Sequence, residues 1–237
     1  TYNYPRVWVI QQQFNPSLKQ NVADGRQFAP MLTPEKKVSV EDAKAMLRNH
    51  FDGTEHDPYT NGLNGNEPWR PISVFRTYES HVMQVRPELP QEIGEVTYVG
   101  LGMADLTAFV PYYSGLKAYP QHYAIGTDKA DNDSIYWKYR KLQTLVMTDY
   151  PQFAPIVKKA YQEWEAKTAL EQKEMEANYL SLSKKNKAAA DNMLNEFNLR
   201  VMADAEQLTE NLTNQLFTLK TKNIQDEIFF ANQSKKD

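Results

Sequence analysis

The chain has 237 residues, enough for a sizeable core in one large domain or two small ones. Its 27 Lys and Arg against 30 Asp and Glu leave a net charge of -3, so there is no basic footprint for nucleic acid or for an anionic membrane surface. Cysteine is absent, which removes disulfides, thiolate metal sites and a cysteine nucleophile from this polypeptide. No apolar run approaches the roughly 18 residues of a membrane-spanning helix, and the first residues lack a signal-peptide pattern. A cytoplasmic location fits, and Thr1 in place of Met makes a processed or truncated piece the expectation.

Asn3 and Pro5 can open an element that Asn15 and Pro16 close, with Val7, Trp8, Val9 and Ile10 inside it; a helix and a strand both fit. Residues 17–37 carry Asp24-Gly25, Pro30 and Pro34 and predict a surface loop. Ser39 is a helix cap with Asp42 three residues on, and Ala43, Met46, Leu47 and Phe51 form the apolar stripe of a helix that Gly53 ends. A second loop with Asn61-Gly62 and Asn64-Gly65 follows.

Residues 70–86 predict a buried strand with a polar middle. At a period of two, one face holds Ile72, Val74, Arg76, Tyr78, Ser80 and Val82, and the other Phe75, Thr77, Glu79, His81, Met83 and Val85. Buried charge costs several kcal/mol unless paired or used, so Arg76, Glu79 and His81 mark either a site, an ion-pair network, or a strand exposed on one side. Pro87 and Pro90 make a turn, and residues 95–101 and 106–113 predict two more strands of a meander. After a loop at 114–131 the spacing turns helical: Ile135, Tyr139, Leu142 and Val146, then a helix opened by Pro151 and running to about Leu182. Leu194, Phe197, Val201, Ala205, Leu208, Leu212, Leu216 and Leu219 recur at steps of three and four, a face that covers the sheet or contacts another subunit. The lysine-containing tail from Ser234 reads as solvated. The fold class is α+β: one unit over 1–237, strand-rich to about 131 and helical from about 132.

Candidate chemistry is sparse. His50 and His56, with Asp52, Glu55 and Asp57, could ligate a metal, but a solvated acidic loop explains them more simply. Ser80 and His81 are adjacent on a strand and point to opposite faces, which disfavours a hydrolase triad. There is no nucleophile elbow, phosphate loop or dinucleotide fingerprint.

Several runs together resemble the family C69 dipeptidases of the dipeptidase A type. They are Tyr4-Pro5-Arg6-Val7-Trp8, Lys37-Val38-Ser39-Val40-Glu41-Asp42, Arg48-x-His50-Phe51-x-Gly53-Thr54 with Asp57-Pro58-Tyr59, and Arg70-Pro71-Ile72. Further on come Arg76-Thr77-x-Glu79-x-His81-Val82-x-Gln84, Phe109-Val110-Pro111-Tyr112-Tyr113, Tyr136-Trp137-x-Tyr139-Arg140 and Phe229-Phe230-Ala231-Asn232. Glu55-His56 departs from that pattern, and no catalytic role is assigned to its loop.

The resemblance implies the C-terminal portion of a four-layer αββα amino-terminal nucleophile hydrolase, with antiparallel strands followed by a helical layer. It implies an amino-terminal cysteine that cleaves dipeptides through an acyl-enzyme, in a half of the protein that this chain lacks, so that the chain alone is inactive. It also implies Arg76, with Thr77 and Glu79 beside it, as substrate-binding or site-supporting residues. No metal and no cofactor are implied. The expected partners are a dipeptide, the missing N-terminal half and further copies in a homo-oligomer. The competing reading is a structural or oligomerisation domain.

Overall fold

The computed structural model describes residues 3–60 and 69–233; the Asn61-Gly62 and Asn64-Gly65 turns and the tail from Ser234 lie outside the described residues. The first element is a helix, α1 (Tyr4–Phe14), with Pro5 in its first turn, where a missing N–H costs nothing. The following loop folds back as a 3-10 turn, Val22–Gln27, against α1. Gly25 is needed there: a Cβ would come within 2.2 Å of the Tyr4 ring. Helix α2 (Val40–Arg48) starts with the predicted capping box, the Asp42 N–H donating to Ser39 Oγ at 3.1 Å and the Ser39 N–H to the Asp42 carboxylate at 2.9 Å. It ends before Phe51, which is not on the helix stripe but in the left-handed region at φ 64°. That conformation costs about 1–2 kcal/mol for a residue with a Cβ. Burial of the ring, edge-on to Trp69 at 5.2 Å, offsets it.

The strand expected over 70–86 is shorter and less buried than its pattern implies. Strand β1 covers only Glu79–Val85, and its odd face, Glu79, His81, Met83 and Val85, is exposed while Ser80, Val82 and Gln84 are half-buried. Alternation of this kind fits a one-sided strand as well as a two-sided one. The tertiary setting decides: other elements cover the Ser80, Val82 and Gln84 face in part and leave the opposite face of β1 open. A turn that includes the helical turn α3 (Gln91–Gly94) leads to β2 (Glu95–Leu101), paired antiparallel with β1 from Glu79 opposite Leu101 to Val85 opposite Glu95. Strand β3 (Val110–Tyr113) pairs with β2 over Val96–Val99 and is also shorter than expected. The residues before it bond to side chains instead of a neighbouring strand: Phe109 N–H donates to Glu165 at 2.7 Å, and the Thr107 carbonyl accepts from Arg48 at 3.3 Å.

Helices α4 (Ile135–Val146), α5 (Tyr150–Ser183) and α6 (Lys187–Gln233) complete an α+β architecture. The apolar stripe of α6 is spent inside the chain in two places. Leu194, Phe197, Val201 and Ala205 pack with Val96, Val110 and Tyr113 of the sheet. Leu212 and Leu216 pack with Leu142, Val146, Phe153 and Val157 of α4 and α5, and Leu208 and Leu219 lie against that second core. Fully buried Asn198 completes the join: its side chain accepts from Tyr113 N–H at 3.2 Å and donates to the Pro111 carbonyl at 3.1 Å, meeting backbone groups at the free edge of β3. Among the described residues no helix is long and apolar enough to cross a membrane.

Candidate functional site

The residues singled out by the sequence lie where the chain enters β1, and their backbone is held from three sides. Ser73 is buried; its N–H donates to the Asn49 carbonyl at 2.9 Å, its carbonyl accepts from Tyr59 Oη at 3.0 Å, and its Oγ accepts from Asp105 N–H at 2.9 Å. The chain then turns, with Thr77 N–H donating to the Val74 carbonyl at 3.0 Å. From α4, the buried guanidinium of Arg140 reaches both sides of Arg76, donating to the carbonyl of Phe75 and, at 2.5 Å, to that of Thr77. Arg140 is in turn braced by Tyr136 Oη at 3.2 Å and lies over the Phe75 ring at 4.8 Å.

This clamp fixes the backbone on either side of Arg76 and leaves its side chain outside. Arg76 is exposed and makes no ion pair among the described residues. Glu79 does not reach it; Glu79 pairs with the ring of His81, two residues on along the same face of β1, at 2.9 Å. Thr77 contributes its carbonyl to the clamp. An unpaired guanidinium on a rigid turn can take a carboxylate through two parallel N–H···O bonds.

Behind the turn lies a charge network in which Asp105, Tyr150 and Lys158 join His50, Asp52 and Asp57. His50, 2% exposed, meets Asp57 through Nδ1 at 3.0 Å, and its Nε2 faces Asp52 at 2.8 Å, Tyr150 Oη at 2.9 Å and Asp105 at 3.3 Å. Tyr150 Oη donates to Asp105, and Lys158 Nζ lies 2.7 Å from Asp105 and 3.3 Å from Asp52. Asp57 is held by the Tyr59 N–H at 2.9 Å and Thr60 Oγ1 at 2.7 Å.

Burial alone would push the His50 proton off, but hydrogen bonds and charge from Asp105 and Asp52 override it and raise its pKa to about 10. The ring is therefore an imidazolium at neutral pH, donating from both nitrogens. Asp105 is pulled the other way: burial raises it, yet His50 and Lys158 hold its carboxyl below the ordinary carboxylate range.

The loop around His50 is thus solvated in part, with Asp52 and Glu55 exposed, and its two histidines do not face one common ion. His50 and Asp57 are buried, and His56 stacks on Trp69 with ring centroids 3.7 Å apart. The potential ligand atoms of His50, Asp52 and Asp105 do lie within 4.8 Å of one another. A metal there would have to displace the Nε2 proton and the Lys158 ammonium, which already neutralise the carboxylates. Asp105, Tyr150 and Lys158 come from distant parts of the chain, so no local pattern signals them. Arg140 had one signal, its spacing of four from Tyr136 on a helix, which places both on one face.

Fold and site together define an α+β protein with a clamped, exposed arginine at a sheet edge, backed by a buried ionic network. Residues 1–163 match the model for peptidase family C69, and the chain belongs to that family. A protein of Salmonella dublin named "Probable dipeptidase" is 56% identical over 129 residues, 54% of this chain and 29% of that protein. "Probable dipeptidase" of Latilactobacillus sakei is 29% identical over 226 residues, 93% of this chain and 46% of its own length. "Dipeptidase A" of Lactobacillus helveticus is 29% identical over 154 residues, 63% of this chain and 31% of its own. The chain spans less than half of the length of these curated relatives.

Proposed function

We propose that this chain is the C-terminal part of a dipeptide-hydrolysing enzyme and supplies the arm that holds the carboxylate of the dipeptide. The observation that carries this reading is Arg76, exposed and without an ion pair among the described residues, on a turn whose carbonyls Arg140 holds from both sides. Guanidinium is suited to a carboxylate because its two parallel N–H groups match two oxygens. Glu79 is the group near Arg76 that could meet the ammonium of the dipeptide, at the expense of its contact with His81, and Thr77 supports the turn.

The bond-breaking group lies elsewhere, since this chain has no cysteine. In this reading an amino-terminal cysteine, in the part of the relatives' length that the chain does not span, attacks the amide carbonyl carbon with its own α-amine as base. The C–N bond breaks, the leaving amine takes a proton, and water then hydrolyses the thioester. The exposed apolar side chains around β1, Tyr78, Met83 and Val85, support a four-layer αββα arrangement in which an N-terminal half lies against this sheet. The chain acts as one unit in a cytoplasmic protein.

Two measurements test the proposal. The isolated chain should release no amino acids from dipeptides, and robust turnover would place the nucleophile within it. In the longer enzyme, Arg76→Ala should raise KM at least tenfold, the loss of one charge-assisted contact of about 1.5–3 kcal/mol. Unchanged kinetics would remove Arg76 from the site.

A further inference from the structure

The far end of α6 carries a second apolar stripe, distinct from the one buried in the core. Phe217, Ile224 and Ile228 are 66%, 44% and 57% exposed, and with exposed Thr221 they follow steps of four, three and four. That spacing is a coiled-coil seam, and it faces away from buried Leu212 and Leu216 on the same helix. A hydrogen bond from Asn223 to Gln152, at 2.9 Å, ties this part of α6 to the start of α5; from Ile224 to Ile228 every side chain is exposed. The stretch also lies outside residues 1–163, the part matched to the family model.

The geometry points to a second copy of this chain as the occupant, paired antiparallel along α6. The charges flanking the seam select both partner and direction. With Phe217 and Ile224 at d positions and Thr221 and Ile228 at a positions, Lys220 and Glu227 occupy successive g positions, and neither makes an ion pair among the described residues. In an antiparallel pair g faces g, so Lys220 of each copy meets Glu227 of the other, twice by symmetry. In a parallel pair g faces e, where Gln225 offers Lys220 no charge. The antiparallel register also stacks Phe217 on Ile228 of the partner copy and Thr221 on its Ile224. Four such layers, one pair of them containing a threonine, put the contact near the lower limit of specific interfaces, about 1,000 Å², so the dimer is concentration-dependent.

Sedimentation equilibrium of the 237-residue chain from about 10 µM to about 1 mM should show the mean mass rising toward twice the monomer. Ile224→Lys should weaken association at least tenfold, with unchanged circular dichroism because the position is exposed. Lys220→Glu alone should weaken it, and Lys220→Glu with Glu227→Lys should restore it. The absence of native cysteine makes cross-linking clean: Phe217→Cys mixed with Ile228→Cys should form a disulfide-linked heterodimer. Phe217→Cys should not link to itself, since eleven helical residues separate the two thiols by about 16 Å. A monomer throughout, a dimer indifferent to Ile224→Lys, or self-linking of Phe217→Cys would each overturn the proposal. The first of these would assign the face to another occupant, such as the remainder of a longer polypeptide.

Discussion

Raising the pH should unlock the network behind the Arg76 turn before it disturbs the rest of the molecule. In the unfolded chain His50 loses its proton near the ordinary value of 6.5, whereas in the folded chain it keeps it to about 10. Its contribution is therefore whole below pH 6.5 and is lost as the pH climbs toward 10. Stability should fall by up to about 1.4 kcal/mol per pH unit across that window, a total on the order of 5 kcal/mol.

Neighbouring groups act outside this window. Asp52 and Asp105, whose carboxyls are held low, contribute stability that is lost only in acid, and Lys158 and Tyr150, both raised, matter only above about pH 10. Urea unfolding followed by tryptophan fluorescence from about pH 6 to about pH 9.5 measures the slope. Because His50→Gln strands Asp52, Asp57 and Asp105 and can prevent folding, a carbon-13 titration of the His50 ring serves as the second readout. A flat stability profile, together with a ring that deprotonates near pH 7, would refute the reasoning.

Arg140→Leu should destabilise the chain by on the order of 3 kcal/mol, since the carbonyls of Phe75 and Thr77 lose a charged donor; urea unfolding reads the loss, and faster hydrogen exchange at the Thr77 amide localises it. Asn198→Leu leaves the Tyr113 N–H and the Pro111 carbonyl without their buried partner and should cost about 2–4 kcal/mol in the same assay. A loss under about 1 kcal/mol would mean that β3 finds other partners for those groups.

Much of the local structure was legible because its causes are local. The Ser39–Asp42 capping box spans four residues, and the helices from Ile135 onward show in steps of three and four. Antiparallel pairing of β1 with β2 followed from a short, proline-marked connection. Arg76, Glu79 and His81 were visible as charged or titratable residues in a strand-like run, and Thr77 through the family resemblance, but their surroundings were not. Alternation repeats every two residues whether one face or both are covered, and only the packing of distant elements decides that the odd face of β1 stays open. The same limit applies to the loop at His50. Its charges look solvated until Asp105, Tyr150 and Lys158, tens of residues away, close around the ring. Composition and local periodicity by themselves determined a cysteine-free α+β chain with long C-terminal helices. Which faces were buried, which charges were paired and why the Arg76 side chain stands exposed were decided by tertiary structure, because burial and charge pairing depend on neighbours in space that sequence distance does not encode.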